Sequence, residues 1–149
     1  MKMVIILTLS KCVTIYSLKG NTSAILDEFN LDGFDVCKML KEDPREHWKN
    51  HDFIMIGSAT YYKEGVTPPT PPYYFQKYEQ DLMELENKEI ILFGSGKKEY
   101  PIFCGALDYL YGVLKDKNAI KLVYKVDQIP RKHQKIEFRD LVEGILNGR

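Results

Sequence analysis

A chain of 149 residues with 44% hydrophobic and 28% charged side chains has ordinary globular composition, which excludes disordered, coiled-coil and low-complexity classes. At that length one domain over residues 1–149 can bury about two-thirds of its unfolded surface without metals or disulfides. The 21 basic and 21 acidic side chains cancel, so the global charge footprint of a nucleic-acid-binding or membrane-surface protein is missing and any electrostatic role must be local.

Residues 1–9 are apolar after Lys2, too short to span a bilayer and without a cleavage pattern, so they read as strand, either extending the first strand or pairing separately. Apolar runs rich in β-branched or aromatic residues follow at 13–16, 53–56, 89–93 and 120–126, the pattern of buried strands. A weaker candidate at 33–39 is interrupted by Asp35 and Lys38, which suits a sheet edge. Helical spacing occupies 22–29, 72–86, 103–115 and 136–146. The run Thr67-Pro68-Pro69-Thr70-Pro71-Pro72 could be a polyproline ligand, but is better read as a stiff lead into the helix near Tyr73. Strand and helix alternate, and strands apolar on both faces imply an α/β protein with a parallel sheet covered by helices on both sides.

Cys12, Cys37 and Cys104 are odd in number and form no C-x-x-C, which argues against disulfides and zinc and fits a reducing, cytoplasmic compartment. His47, His51 and His133 lack ligand-like spacing and read as surface or helix-end residues, so no metal is expected.

In such a sheet ligands bind outside the carboxyl ends of the strands, and three loops there carry chemistry. Ser17-Leu18-Lys19-Gly20-Asn21-Thr22 offers glycine, hydroxyls and a lysine where a helix opens, a phosphate site by chemistry or an ordinary helix start. It is neither a Walker A loop nor G-x-G-x-x-G. Gly57-Ser58-Ala59-Thr60-Tyr61-Tyr62 puts hydroxyls before two aromatics, suited to a flat ring with a polar end, although both tyrosines could simply cover the loop. The stretch from Gly94-Ser95-Gly96-Lys97-Lys98 through Tyr100 to Phe103-Cys104-Gly105-Ala106 and Asp108 combines two glycines, which let the backbone approach a ligand, with another stacking surface.

Together the three loops resemble flavodoxins: a hydroxyl-rich loop ending in Gly20-Asn21-Thr22, a G-S-x-T loop followed by an aromatic, and a second flavin loop matching Gly94-Ser95-Gly96, Tyr100 and Phe103 to Asp108. The resemblance covers about residues 13–126. It implies a flavodoxin-like, doubly wound, five-stranded parallel sheet with FMN at the switch point. It places the phosphate and part of the ribityl chain on Ser17, Lys19, Gly20, Asn21, Thr22, Ser58 and Thr60, with Leu18 and Ala59 in the same loops. It places the isoalloxazine between Tyr61 and Tyr100, and its pyrimidine edge on the backbone from Gly94 to Lys97 and from Phe103 to Cys104. Cys104 is then a packing residue rather than a nucleophile.

Leu18 and Lys19 stand where the family often has hydroxyls. Tyr62 stands where many members have a glycine whose peptide turns over toward the reduced flavin, a turn that a tyrosine opposes. Lys97 and Lys98 add positive charge to a loop commonly acidic in the family, which favours the reduced, anionic flavin and a less negative second potential. The implied function is an electron carrier, not an enzyme. It would be a monomer that docks transiently with a flavin or ferredoxin reductase as donor and a redox enzyme as acceptor, without nucleic acid or membrane. The alternatives are a flavodoxin-like activator of manganese ribonucleotide reductase, an FMN-dependent quinone or azo reductase, and a flavin-free binding module.

Overall fold

Five strands, β1 (Lys11–Tyr16), β2 (Phe34–Lys38), β3 (Phe53–Ala59), β4 (Glu89–Gly96) and β5 (Ala119–Asp127), form one sheet in the order β2-β1-β3-β4-β5. Every neighbouring pair is parallel. This computed structural model describes residues 9–61, 65, 66 and 68–148. The leading strand expected within residues 1–9 falls, except for Leu9, outside them, as does Tyr62.

Burial explains the order. β3 is buried throughout and β4 nearly so, whereas β2 and β5 alternate between covered and exposed residues as edge strands do. The weak pattern around Asp35 and Lys38 therefore belongs to an edge, as expected from sequence. β5 carries an irregularity in its pairing with β4 between Ile90 and Ile91.

Among the described residues five helices cover the sheet: α1 (Asn21–Ala24), α2 (Arg45–Asn50), α3 (Glu79–Glu84), α4 (Gly105–Leu114) and α5 (Lys132–Asn147). Because side chains alternate along a strand, Ile54, Ile56, Ile90 and Leu92 face one core, with Trp48 of α2, Leu82 of α3 and Leu107, Leu110 and Leu114 of α4. Phe53, Met55, Ile91 and Phe93 face the other, with Ile25, Leu26 and Phe29 after α1 and Phe138 and Val142 of α5. The sheet is thus doubly wound, in the order of flavodoxin-like folds.

Two helical expectations are shortened. Residues 22–29 bury Ile25, Leu26 and Phe29 at the expected spacing, but beyond Ala24 the chain continues in tight turns, with Leu26 N–H on Ser23 O, Asp27 N–H on Ala24 O and Phe29 N–H on Leu26 O. Within 72–86 only a 3-10 turn (Gln76–Tyr78) and α3 are helical. Tyr74, Phe75, Tyr78, Leu82 and Leu85 still form its buried face. Apolar spacing reports which side is covered, and three-residue turns satisfy it nearly as well as an α-helix does. α2 was not anticipated.

Candidate functional site

The chain leaves β1 toward β2 on one side and β3 toward β4 on the other, so the switch point lies between the neighbours β1 and β3. A cleft of about 410 Å³ opens at these carboxyl ends, within the range of small-molecule sites. It is lined by Lys19 and Asn21 after β1, Ala59, Thr60 and Tyr61 at the end of β3, Ser95, Gly96, Lys97 and Tyr100 at and after β4, and Gln128 and Ile129 after β5. All except the last two were singled out from sequence. Gln128 and Ile129 follow a strand whose carboxyl end carries no glycine-rich or hydroxyl motif. Gln128 sits at φ 56° and donates its N–H to Gly96 O at 2.7 Å, which fixes this fourth wall.

The remaining described candidates surround the cleft without lining it. Ser17 Oγ accepts Ser23 N–H at 3.4 Å, Leu18 is exposed, and Gly20 takes the left-handed φ of 86° that turns the chain into α1. Three hydroxyls expected on a phosphate or ribityl chain also bond within the protein. Thr22 Oγ1 and Ser95 Oγ share a buried hydrogen bond of 2.8 Å, Ser58 Oγ donates to Ala59 O at 2.7 Å, and Thr60 Oγ1 accepts Ala106 N–H at 3.2 Å. These bonds tie the first loop and α4 to the ends of β3 and β4. Gly94 and Gly96 act by close approach: a Cβ at Gly96 would meet Cys104 N and Sγ at 3.1 Å. Phe103 is half-buried. Cys104 holds φ 54° as the cap of α4, and burial pushes its thiol up to about 12, consistent with a packing residue.

Tyr61 is held by a tyrosine that sequence reasoning had treated only as helix. Tyr74 donates its hydroxyl to Ala59 O at 2.6 Å and accepts Tyr61 N–H at 3.1 Å, while its ring stacks on Tyr16 with centroids 3.9 Å apart. The Tyr61 ring meets Tyr16 and Tyr74 edge-on at 6.4 and 6.3 Å. Burial raises its pKa, opposed by hydrogen bonds to its hydroxyl from the backbone of Leu18 and Lys19. Across the cleft Tyr100 is half exposed, with Lys97 Nζ 5.7 Å above its ring. The Lys98 backbone N–H donates to Asp127 Oδ1 at 3.1 Å and its ammonium lies 6.0 Å over the Phe103 ring, and of the two lysines only Lys97 lines the cleft.

A larger groove of about 680 Å³ lies along Pro68, Pro69, α3 and α4. It opens on helix flanks, not at the strand ends where polar groups converge. The histidines are less scattered than their sequence positions suggest. His47 Nε2 lies 3.3 Å from Glu42 Oε2 and His47 Nδ1 2.9 Å from Asp35 Oδ2, beside buried Cys37.

The fold and cleft define a doubly wound α/β protein that takes its ligand at the switch point between β1 and β3. A family model described as flavodoxin matches residues 16–140, and the chain belongs to the flavodoxin family. It is similar to two curated proteins of Bacillus subtilis (strain 168). "Probable flavodoxin 1" is 26% identical over 134 residues, covering 84% of this chain and 82% of that protein. "Probable flavodoxin 2" is 26% identical over 118 residues, covering 73% and 75%. Among solved structures, oxidised flavodoxin 1 from Bacillus cereus superposes with a TM-score of 0.75 at 21% identity, covering 93% of this chain and 98% of that one. Fusobacterium nucleatum flavodoxin bound to flavin mononucleotide gives 0.68 at 16%, covering 95% and 99%. The family makes this chain a flavin-binding protein of electron transport. Among the described residues no helix is long and apolar enough to cross a membrane.

Proposed function

We propose that the flavin is FMN and that the chain is a monomeric, cytoplasmic carrier passing single electrons from a flavin or ferredoxin reductase to a redox enzyme. The observation that carries this reading is the cleft itself, at the switch point, with Tyr61 and Tyr100 on separate loops and a phosphate-type loop beside them. The residues fit the cofactor. The backbone of Leu18 and Lys19 lies beside the Tyr61 hydroxyl, and its N–H groups with the Lys19 ammonium and Asn21 would hold a phosphate. The aromatic faces of Tyr61 and Tyr100 would bound the ring, and the backbone at Gly96 and Lys97 would meet its polar edge.

FMN would supply the one-electron chemistry, and the protein's part is to hold it and set its electrostatics. Tyr74 fixes the Tyr61 peptide, Thr22 and Ser95 join the first loop to the third, and the tyrosine cluster keeps water from the inner side. Reconstitution with FMN should give a yellow protein holding one flavin per chain, reduced in steps by a chemical titrant without hydride transfer from NAD(P)H. Protein that stays colourless at micromolar FMN would refute the cofactor assignment, and turnover with NAD(P)H and a quinone would indicate a reductase instead.

Lys97 lines the cleft whereas Lys98 does not. A unit charge about 7 Å from the flavin at an effective dielectric of about 20 contributes about 2 kcal/mol, an upper bound once water and ions screen it. The positive charge stabilises the reduced, anionic flavin, so Lys97→Glu should make the second potential more negative by tens of millivolts, at about 59 mV per 1.4 kcal/mol for one electron. Lys98→Glu should shift it less. Equal shifts in the two variants, read by redox titration, would remove the distinction.

A further inference from the structure

We propose that Cys37, Glu42 and His47 form a binding site for a divalent transition-metal ion of zinc type, on the outer edge of the sheet and separate from the flavin cleft. Cys37 is the fourth residue of β2 and is buried. The turn that follows is closed by Lys41 N–H and Glu42 N–H, both on Lys38 O, and brings Glu42 back beside it. His47 comes from α2, whose Trp48 is anchored in the core. One ligand atom from each, a thiol sulfur, a carboxylate oxygen and an imidazole nitrogen, lies within 4.8 Å of the other two.

The geometry goes further than proximity. In a tetrahedral zinc site with bonds of about 2.0–2.2 Å to nitrogen and oxygen, those two ligand atoms sit about 3.4 Å apart. His47 Nε2 and Glu42 Oε2 are 3.3 Å apart. The other ring nitrogen, His47 Nδ1, pairs with Asp35 Oδ2 at 2.9 Å, the carboxylate–histidine arrangement that fixes the ring tautomer and directs the free nitrogen at a metal. His51 supports the same group from one turn further on: its Nδ1 is 2.7 Å from His47 O and its Nε2 3.6 Å from Asp35 Oδ2. The Cys37 thiol, which points at Glu42 O at 3.9 Å, would turn toward the other two ligand atoms to bond the ion.

Charge and access agree with a cation. Glu42 and Asp35 bring two carboxylates to the Cys37 sulfur, while the nearby Asp43 is paired with Arg45. A soft thiolate with one imidazole and one carboxylate selects zinc over calcium or magnesium. The Glu42 and Asp35 side chains are 54% and 51% exposed, which leaves an entry path and a fourth position for water. Binding would displace the thiol proton to solvent and add a second clamp between edge strand β2 and α2, which Asp35 and His47 already join.

The test uses the full chain, stripped with a chelator and transferred to chelator-free buffer, without FMN so that the flavin assignment plays no part. Zinc chloride followed by equilibrium dialysis should give one bound ion per chain, and cobalt chloride should give a thiolate-to-metal absorption band. Cys37→Ser should abolish that band, and Cys37→Ser and Glu42→Gln should each weaken zinc binding at least tenfold. Asp35→Asn should weaken it by about 10–100-fold, while Cys12→Ser and Cys104→Ser should leave it unchanged. Glu42 lies at the surface, so its variant keeps the test informative if Cys37→Ser folds poorly. No zinc retained by the parent chain, or zinc retained equally by the Glu42 variant, or a cobalt spectrum without the thiolate band, would each overturn the site.

Discussion

Replacing Trp48 by alanine is expected to lower the stability of the folded chain by about 3–5 kcal/mol, the usual cost of removing a large aromatic from a packed core. Trp48 is fully buried, meets Tyr78 edge-on at 5.7 Å, and donates its indole N–H to Thr14 Oγ1 at 3.0 Å. Thr14 is itself fully buried in β1, so losing the indole leaves its hydroxyl without that partner in a place water does not reach. Trp48→Phe should keep most of the apolar contact and forfeit the hydrogen bond, costing about 1–3 kcal/mol. Urea unfolding followed by circular dichroism reads both variants. The ranking alanine, then phenylalanine, then parent is the diagnostic result; a phenylalanine variant as stable as the parent would mean that the Thr14 bond contributes nothing. Domains of this kind have only about 5–15 kcal/mol in total, so the alanine variant loses a large share of it. Trp48 is the chain's one tryptophan, and its emission in the parent reports the seating of α2 directly.

That helix also shows where sequence reasoning stops. α2 has six residues, of which only Trp48 is buried, so it has no apolar stripe for periodicity to detect. Its neighbour β2 was legible because even an interrupted alternation suffices for an edge. The central strands were legible for the opposite reason: residues covered on both faces leave a continuous apolar run, as in Phe53–Ala59. The helices were legible by face and not by extent, since Ile25, Leu26 and Phe29 bury the same side whether the turns close at three or four residues.

At the site, the loops were legible as loops because glycines, hydroxyls and aromatics cluster after strands. The destination of each hydroxyl was not. Thr22, Ser58 and Thr60 look in sequence like ligands for a polar group. In the fold they bond Ser95, Ala59 O and Ala106 N–H, because a buried hydroxyl must find a partner and the nearest is the protein itself. The cluster of Cys37, Glu42 and His47 was invisible for a related reason. Its members are one cysteine, one glutamate and one histidine, without the paired cysteines or histidines that mark a zinc motif in sequence, and only the turn after β2 and the entry of α2 bring them together.

Gly94→Ala should be the most damaging single methyl group that can be added at the site. Gly94 pairs with Ser58 in the β3–β4 ladder, and a Cβ there would stand 2.1 Å from Ser58 O and 3.3 Å from Leu107 Cδ2. The first contact is with backbone in the centre of the sheet, which cannot rotate away as a side chain can. The carboxyl ends of β3 and β4 must therefore part, and the Thr22–Ser95 hydrogen bond that joins the first and third loops lies one residue beyond. Overpacking of this kind costs about 1–3 kcal/mol where side chains can yield, and more where they cannot, so a loss of about 3 kcal/mol or more is expected by urea unfolding. FMN binding should weaken along with it, because the displaced segment runs into Gly96 and Lys97 in the wall of the cleft. Gly112→Ala is the matched control: a Cβ there meets nothing within 4 Å, on the exposed side of α4, and should stabilise the chain by about 0.4–1 kcal/mol through helix propensity and a less flexible unfolded state. A Gly94→Ala protein within 0.5 kcal/mol of the parent, which is the ordinary range for a surface substitution, would show that the strand ends are looser than the ladder implies. The cleft would then owe its shape to the loops and not to the sheet beneath them.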